Sequence, residues 1–231
     1  TGYFLNLVLK SEKPVVIVGS MRPGSALSAD GPLNIYNAVI VASDKNSVGK
    51  GVLVVMNDEI HSARDVTKTN TVKVETFRSL YGPLGSIIEG KPSYYRTLAR
   101  PHTMQTEFDI DKLTTLPEVG VVYAHGNMSR APYDAFAAAG VKAIIHMGTG
   151  SGSIADYMAP VLKELRAKGI LIVRASRTGS GPVVRNGEAK DDELDYIVTD
   201  DQNAAKARIL LSLALTKTKD TKELQKIFWK Y

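Results

Sequence analysis

The fold of this chain is decided by the stretch GVLVVMNDEIHSARDVTKTN, which covers residues 51–70. Its apolar run, from Val52 to Met56, shows no polar alternation, so it predicts a strand that is buried on both faces. The residues after Met56 are mostly polar, and we expect them to form a loop that carries Lys68. Because open α/β sheets bind ligands beyond the carboxyl ends of their parallel strands, this loop is the first candidate for chemistry.

The residues before this strand predict a second strand and a helix. Residues 14–19, PVVIVG, predict another buried strand, and residues 20–31 form a loop rich in glycine, proline and serine. Asp30 is a suitable N-cap and Pro32 suits a first helical turn. We expect four apolar residues on the inner side of this helix: Ile35, Ala38, Val39 and Ala42. The order strand, helix, strand predicts a parallel pair joined by a crossover.

The second half of the chain alternates strands and helices more regularly. Strands are predicted at residues 119–124, 143–147, 170–173 and 196–199, with a helix after each of the first two, a glycine-rich loop at residues 178–187 after the third, and two more helices at the end, residues 203–216 and 221–231. Residues 96–117 contain two prolines and no sustained period, so we predict a linker there. The predicted fold is therefore α/β, with mostly parallel sheets and flanking helices in two domains, residues 1–95 and 118–231.

The chain begins at Thr1 without an initiator methionine or a signal-peptide pattern. Residues 3, 4, 7 and 8 are apolar and spaced like one face of a helix that is already under way. We therefore expect the first domain to be truncated at its amino terminus.

Composition narrows the functional classes. The 231 residues are 44% apolar and 23% charged, which is typical of a globular protein. No apolar run approaches the ~20 residues that span a bilayer, so no membrane segment is predicted. The net charge is +5, but the basic residues are scattered among acidic ones, which favours a solvated surface over a nucleic-acid interface. The chain has no cysteine, and this excludes disulfides, thiolate catalysis and cysteine metal sites.

Three polar features are candidates for function, and each also has a structural interpretation. Lys68 could activate a hydroxyl, or it could be an ordinary surface lysine. The turn GTGSGS, residues 148–153, could hold a phosphate or offer the Ser153 hydroxyl to a small polar substrate, but it could equally be a tight turn. It lacks the P-loop ending Lys-[Ser/Thr]. Glu188 could pair with a substrate ammonium group, or it could belong to a solvated acidic cluster with residues 191–193.

Metal and serine-hydrolase chemistry have little support in the sequence. The four histidines, His61, His102, His125 and His146, have no metal-ligand spacing, so neither a metal nor another cofactor is predicted. His146 lies in an apolar strand and is interpreted as a hydrogen-bonded core histidine. No G-x-S-x-G motif is present to support a catalytic triad.

Several segments together resemble one known family. They are VGSMRPGSALSADGPLNIYNAV, GVLVVMNDEI with ARDVTKTN, YGPLG, HMGTGSGS, and the closing ARILLSLALTKTKD with ELQKIFWKY. In this order they resemble the bacterial type II L-asparaginases and the related glutaminase-asparaginases. The resemblance extends over the whole chain.

The resemblance implies an amidohydrolase that releases ammonia from L-asparagine and, in some members, from L-glutamine. A threonine hydroxyl attacks the side-chain amide carbon, and water then frees the acid. The family resemblance also implies a homotetramer built from two close dimers, with active sites shared between subunits, and an exported protein in the periplasm or outside the cell.

Four residues match functional positions of the family. Lys68 matches the lysine of its Thr-Asp-Lys group, and Ser20 matches the position whose main-chain carbonyl faces the substrate amide. Ser153 and Glu188 match two positions, contributed by the partner subunit, that lie near the substrate amino group. By resemblance, Lys68 is therefore the catalytic candidate and Ser20, Ser153 and Glu188 are the candidates for substrate binding.

The chain also departs from the family pattern. Neither the T-G-G-T-I-type stretch with the nucleophilic threonine nor the H-G-T-D-T-type stretch with the second threonine occurs in it. We therefore expect the nucleophile to lie upstream of this chain and the isolated chain to be inactive. The alternative hypothesis is a non-catalytic α/β module that binds a nucleotide or phosphate through GTGSGS.

Overall fold

The stretch that decides the fold forms a fully buried strand, β2 (Val52–Met56), as its unbroken apolar sequence predicts. The computed structural model describes all residues, Thr1–Tyr231. The chain divides into two compact units, Thr1–Asp109 and Ile110–Tyr231, and this division falls inside the predicted linker. Within the linker, Arg96 donates from its backbone N–H to the Leu84 carbonyl at 3.1 Å, so residues before the division pack on the first unit.

Besides two short 3₁₀ helices, Lys45–Ser47 and Thr103–Gln105, the first unit contains two α-helices and seven strands. They are α1 (Gly2–Val8), β1 (Val15–Val18), α2 (Gly31–Ser43), β2, β3 (Glu59–Ser62), β4 (Val66–Lys68), β5 (Phe77–Ser79), β6 (Gly85–Ile88) and β7 (Lys91–Tyr94). A five-stranded sheet has the order β1-β2-β3-β6-β7, and β4 pairs with β5 separately. The pair β1–β2 is parallel as predicted, whereas the other pairs of this unit are antiparallel.

Alternate residues of β2 pack into two separate hydrophobic cores. Leu53 and Val55 pack with Ala38 and Val41 of α2 on one face of the sheet. The second core, on the other face, consists of Val52, Val54, Met56 and Ala63, with residues from α1, β4 and β5 packed against it. Apolar residues on both faces are what a strand covered on two sides requires.

The inner side of α2 differs from the prediction. Ile35, Val39 and Ala42 are exposed, and the buried residues of the helix are Asn34, Asn37, Ala38 and Val41. The predicted apolar stripe was wrong because two buried asparagines take inward positions, where their amides hydrogen-bond to neighbouring loops. Helical periodicity alone assigns such polar residues to the solvent side.

The predicted polar loop after β2 was also wrong. Asn57 and Asp58 both have positive φ angles, 52° and 61°, as a two-residue hairpin turn of type I′ requires. The chain therefore returns as β3, with Val55 opposite Ile60. As a result, β3 and a turn separate Lys68 from the carboxyl end of β2.

The second unit has the α/β order that the sequence predicts. Its elements are β8 (Val119–Tyr123), α3 (Ala131–Ala138), β9 (Ala143–Gly148), α4 (Ala159–Ala167), β10 (Leu171–Ser176), α5 (Asp191–Leu194), β11 (Ile197–Val198), α6 (Ala204–Ala214) and α7 (Thr221–Lys230). The sheet has the order β11-β10-β9-β8, and all its pairs are parallel. The α/β fold class is confirmed, with fully parallel pairing in this unit.

Two helices of the second unit differ from the prediction. Helix α4 begins at Ala159, six residues after Ser153, so the turn GTGSGS is not at a helix N-terminus. The short helix α5 was not predicted, because its sequence DDEL carries no apolar period. None of the seven α-helices is both long enough and apolar enough to cross a bilayer.

Candidate functional site

The loop that carries Ser20 follows β1, and the carboxylate of Asp30 holds its backbone. Asp30 accepts hydrogen bonds from the backbone N–H groups of Met21 and Arg22, both at 2.9 Å. Burial raises the pKa of Asp30, but these backbone bonds outweigh it and lower the pKa overall. Asp30 occupies the predicted N-cap position, yet its side chain makes no capping bond to α2. Its carboxylate instead closes the loop around Ser20, which is exposed.

The buried asparagines of α2 fix the carboxyl ends of β1 and β2. Asn34 donates to the Gly19 carbonyl at 3.0 Å and accepts from the Asn57 N–H at 3.0 Å. Asn37 donates to the Asp58 carboxylate at 2.7 Å. The amides therefore tie the loop after β1 to the turn after β2, at the edge where a parallel pair places its ligands.

Lys68 is the last residue of β4, opposite Phe77 of β5. Its side chain is exposed and makes no hydrogen bond or ion pair. Phe77 packs against the core formed by Val52, Val54, Met56 and Ala63, and Met21 packs against the same core. Lys68 and Ser20 are therefore each adjacent to a residue that covers this face of the sheet.

The turn GTGSGS begins at the last residue of β9 and is closed by its own backbone. The Ser153 N–H donates to the Thr149 carbonyl at 2.8 Å, and Gly150 and Gly152 have positive φ angles. At Gly148, a Cβ atom would lie 2.3 Å from the Ser153 carbonyl oxygen, so only glycine fits there. The alternative interpretation as a phosphate cradle is not supported, because this compact turn lies away from any helix N-terminus.

Two buried side chains support the turn from inside the unit. Arg174 of β10 donates from Nη1 to the carbonyls of Ser151 and Gly152, at 2.9 and 3.1 Å. His146 of β9 places Nε2 3.2 Å from the Ser153 carbonyl and Nδ1 2.6 Å from the Tyr133 hydroxyl. Burial lowers the pKa of His146 and the nearby Arg174 charge acts in the same direction, so the imidazole is neutral. This agrees with its interpretation as a hydrogen-bonded core histidine.

Arg174 also forms a fully buried ion pair with Asp191. Its Nε and Nη2 atoms lie 2.7 and 2.6 Å from the two carboxylate oxygens, and both side chains are 0% exposed. Asp191 further accepts from the Asn186 N–H at 2.7 Å. Buried charges need such complete pairing because an unpaired one is costly in an apolar interior. The interpretation of residues 191–193 as a solvated acidic cluster is therefore wrong for Asp191.

Ser153 and Glu188 are in direct contact. The Ser153 hydroxyl donates to a Glu188 carboxylate oxygen at 3.0 Å across 35 residues of sequence. Ser153 is partly buried and Glu188 is exposed. The sequence predicted both residues for the same role, and the fold of the second unit brings them together. A hydroxyl and a carboxylate side by side suit an ammonium group, which donates several hydrogen bonds.

Sequence reasoning missed the residues that support the segments of Ser20, Ser153 and Glu188. Asp30, Asn34, Arg174 and Asp191 contact backbone groups rather than a ligand, so no motif marks them. One signal was available: Arg174 interrupts the apolar run ILIVRAS, and a charge inside a buried strand requires a buried partner. In no part of the structure do three or more histidine, aspartate or glutamate side chains form a group that could hold a metal.

The two units define a two-domain α/β protein, and comparison with known protein families identifies the family to which it belongs. Residues 1–100 match the family model for the N-terminal asparaginase domain. Residues 118–228 match the model for the glutaminase/asparaginase C-terminal domain. The chain belongs to the asparaginase family.

Several bacterial proteins are similar along the whole chain. A glutaminase-asparaginase of Pseudomonas fluorescens biotype A is 54% identical over 232 residues, which cover 100% of this chain and 64% of that protein. L-asparaginase 2 of Escherichia coli (strain K12) is 48% identical, over 100% of this chain and 67% of that protein. A probable periplasmic L-asparaginase of Haemophilus influenzae is 46% identical, over 99% and 66%. The chain thus spans somewhat less than two thirds of the Pseudomonas relative.

Proposed function

We propose that this chain supplies the lysine and the substrate-binding residues of an amidohydrolase that acts on the side-chain amide of L-asparagine or L-glutamine. The observation that carries the proposal is the Ser153–Glu188 contact of 3.0 Å. In it, two residues that the family resemblance assigns to the substrate amino group lie within hydrogen-bond distance of each other. Membership of the asparaginase family and the names of its relatives give further support.

The proposed binding chemistry follows from the charges of an amino-acid substrate. By resemblance to the family, its ammonium group donates to the Glu188 carboxylate of the neighbouring subunit, and the Ser153 hydroxyl of that subunit holds the carboxylate in one orientation. The Ser20 carbonyl faces the side-chain amide of the substrate, and the carboxylate of Asp30 keeps the Ser20 loop in shape. A charge-assisted contact contributes about 1.5–3 kcal/mol, enough to select substrates that carry an ammonium group.

In the proposed reaction, a threonine hydroxyl attacks the amide carbon and ammonia leaves. Water then attacks the acyl-enzyme and releases the acid. Lys68 assists by taking up the hydroxyl proton through a carboxylate relay or by lowering the pKa of that hydroxyl, and its unpaired ammonium group is free for this role. The threonine itself belongs to a motif that these 231 residues do not contain.

Ammonia release tests the assignment of the nucleophile. We expect the purified 231-residue chain, supplied with L-asparagine or L-glutamine, to release no ammonia above a buffer control. Clear turnover would show that a residue within the chain is the nucleophile and would contradict this part of the proposal. The same preparation should bind L-aspartate, the reaction product, in a calorimetric titration.

A substitution at Glu188 tests the ammonium contact. We expect Glu188→Gln to weaken L-aspartate binding at least about tenfold, because a charge-assisted hydrogen bond to the ammonium group is lost. Glu193→Gln is the matched control, since Glu193 is a nearby exposed carboxylate whose partner is Lys190. Equal affinities of the two variants would contradict the role of Glu188.

We further propose that the protein is a homotetramer with active sites shared between subunits. Four exposed apolar residues on one helix, α2, support an interface between subunits: Leu33, Ile35, Tyr36 and Val39. Each of them is more than half exposed, which is unusual for a cluster on a monomer. Sedimentation velocity is the test, and a purely monomeric species at micromolar concentration would contradict the proposal.

The proposed location is the periplasm or the cell exterior. Support comes from the Haemophilus influenzae relative, whose name includes the word periplasmic. Fractionation of the source cells, with immunodetection of the protein in each fraction, tests this location. Recovery with cytoplasmic markers would contradict it.

A further inference from the structure

The three carbonyls of Ser151, Gly152 and Ser153 all point towards buried donors. Arg174 donates to the first two and His146 lies 3.2 Å from the third. The two donors are register partners on the adjacent parallel strands β9 and β10, and both are 0% exposed. The orientation of the whole turn is therefore fixed from the interior of the unit.

The same guanidinium group reaches the segment that carries Glu188. Arg174 donates from Nη2 to the Val184 carbonyl at 3.1 Å and pairs with Asp191, three residues after Glu188. Asp191 in turn accepts from the Asn186 N–H, two residues before Glu188. The buried ion pair thus holds the backbone before and after Glu188. Through the carbonyls of Ser151 and Gly152, it also holds the turn that carries Ser153.

We propose that Arg174, paired with Asp191 and assisted by His146, is a positioning residue that sets the geometry between Ser153 and Glu188. The inference rests on the proposed function, because it assumes that these two residues bind the substrate ammonium group. A carboxylate held in place before binding loses little conformational freedom when the ligand arrives. The buried network therefore acts on substrate affinity without contacting the substrate.

The role of His146 follows from the chemistry of its neighbours. A carbonyl oxygen can only accept, so Nε2 of His146 carries the proton that is donated to Ser153. Nδ1 must then accept from the Tyr133 hydroxyl at 2.6 Å. The low pKa of His146 and the raised pKa of Tyr133, both caused mainly by burial, agree with this neutral arrangement.

The experiment compares L-aspartate affinity in variants of the full 231-residue chain, measured by calorimetry. The double variant Arg174→Met with Asp191→Leu removes both charges, so neither is left unpaired in the interior. We expect its affinity to fall about tenfold or more, as is typical for residues that support ligand-contacting groups. Arg166→Met is the matched control, because it breaks a partly exposed ion pair with Asp195 in the same unit, and we expect its affinity to remain within about twofold of the unmodified chain.

Two variants at His146 add a conservative comparison. His146→Gln retains an N–H that can donate to the Ser153 carbonyl, whereas His146→Leu removes it. We expect the glutamine variant to keep most of the affinity and the leucine variant to lose several-fold. Amide hydrogen exchange at Ser153 provides a second readout, and it should speed up at least about tenfold in the double variant and in His146→Leu. Circular dichroism verifies that each variant is folded.

The outcomes separate this inference from the proposed function. If Glu188→Gln weakens binding but the folded double variant binds as tightly as the unmodified chain, the positioning role is overturned and the proposed function stands. If Glu188→Gln has no effect, or the unmodified chain does not bind L-aspartate, the proposed function fails and this inference fails with it. Unchanged hydrogen exchange at Ser153 in the double variant also overturns the positioning role.

Discussion

At the scale of single residues, the carboxylate of Asp30 determines the shape of the loop that carries Ser20. It accepts from two successive backbone N–H groups, those of Met21 and Arg22, and from the side chain of Asn34 at 3.0 Å. A loop without secondary structure of its own depends on such side-chain acceptors for its backbone donors. The local order around Ser20 therefore depends on Asp30, together with the bond from Asn34 to the Gly19 carbonyl.

Replacement of Asp30 by alanine should release this loop. We expect Asp30→Ala to lower the free energy of unfolding by about 1–2 kcal/mol, because two backbone donors lose their acceptor. Hydrogen exchange at Met21 and Arg22 should become markedly faster, and mass spectrometry of peptides from the loop measures this. Asp44→Ala is a suitable control, since Asp44 accepts from a single exposed N–H, that of Asn46. Unchanged exchange in Asp30→Ala would contradict the role of the carboxylate.

His61 makes the stability of the chain depend on pH. Burial lowers its pKa from 6.5 to about 4, so the unfolded chain binds more protons than the folded chain between these values. Stability is therefore full above about pH 6.5 and decreases as the pH falls towards 4. The shift corresponds to a loss on the order of 3 kcal/mol. The other two histidines with lowered pKa values, His102 and His146, act in the same direction.

Urea unfolding at pH 7, 5.5 and 4.5 measures this dependence. We expect His61→Asn to reduce the loss between pH 7 and 4.5, because the variant has no imidazole to protonate. His125→Asn, at an exposed histidine, should keep the full loss. Glu59 lies 3.2 Å from His61 and its pKa is raised, mainly by burial. The contribution of Glu59 to the pH dependence of stability has the opposite sign, but it is present in both variants. Equal losses of stability between pH 7 and 4.5 in His61→Asn and His125→Asn would therefore refute the effect assigned to His61.

At the scale of elements, the end of β9 is limited by the space around Gly148. A side chain there would collide with backbone atoms of Gly152 and Ser153, at 2.5 and 2.3 Å from its Cβ. Backbone atoms cannot move aside as the tip of a flexible side chain can, so the strand and the turn would have to separate. The substrate-binding position proposed for Ser153 therefore depends on a glycine five residues earlier.

Gly148→Ala should destabilise the second unit and displace Ser153. We expect a loss of roughly 3 kcal/mol in the free energy of unfolding, which is characteristic of overpacking in a rigid environment. Gly126→Ala is the control, because Gly126 has no positive φ and its Cβ would meet nothing within 4 Å. Thermal unfolding followed by circular dichroism compares the two variants. Similar melting temperatures would contradict the steric argument.

The helices and strands also differ in how well they could be predicted from the sequence. Strands β2, β9 and β10 were predictable because buried parallel strands require long apolar runs. The hairpin at Asn57 and Asp58 was missed, since β3 has the mixed sequence EIHS and both turn residues also suit a loop. The exposed side of α2 was assigned wrongly because tertiary hydrogen bonds to Asn34 and Asn37 outweighed the apolar pattern.

The residues of the candidate site could be predicted only in part. Resemblance to a family pointed to Ser153 and Glu188, but spacing along the chain could not indicate that they touch. The network of Arg174 and Asp191 depends on which strands and loops become neighbours, and only the folded structure contains that information. All four candidates, Lys68, Ser20, Ser153 and Glu188, remain predictions as functional residues.

At the scale of the whole molecule, the chain consists of two units that divide between Asp109 and Ile110. Residues 111–116 are exposed and belong to no helix or strand. We continue to propose residues 1–95 and 118–231 as the two domains and residues 96–117 as the linker. Flexible, exposed segments between domains are the preferred sites of proteolysis.

Limited trypsin digestion should therefore cut first after Lys112. We expect two stable fragments, residues 1–112 and 113–231, that mass spectrometry can assign. Arg96 is a weaker target even though it lies within the proposed linker, because its guanidinium donates to the Gly82 carbonyl at 3.2 Å and its backbone is held by Leu84. Early cuts inside either proposed domain, with no accumulation of the two fragments, would argue against this boundary.

The two edge strands of the five-stranded sheet differ in how readily another strand can pair with them. On one side, β7 contains Lys91 and Pro92, a charge and an imino acid that discourage further pairing. On the other side, β1 has the sequence VVIV and pairs with β2 alone, so its outer row of peptide groups has no strand beside it. Any extension of this sheet, whether by a segment of polypeptide or by self-association at high concentration, therefore takes place alongside residues 15–18.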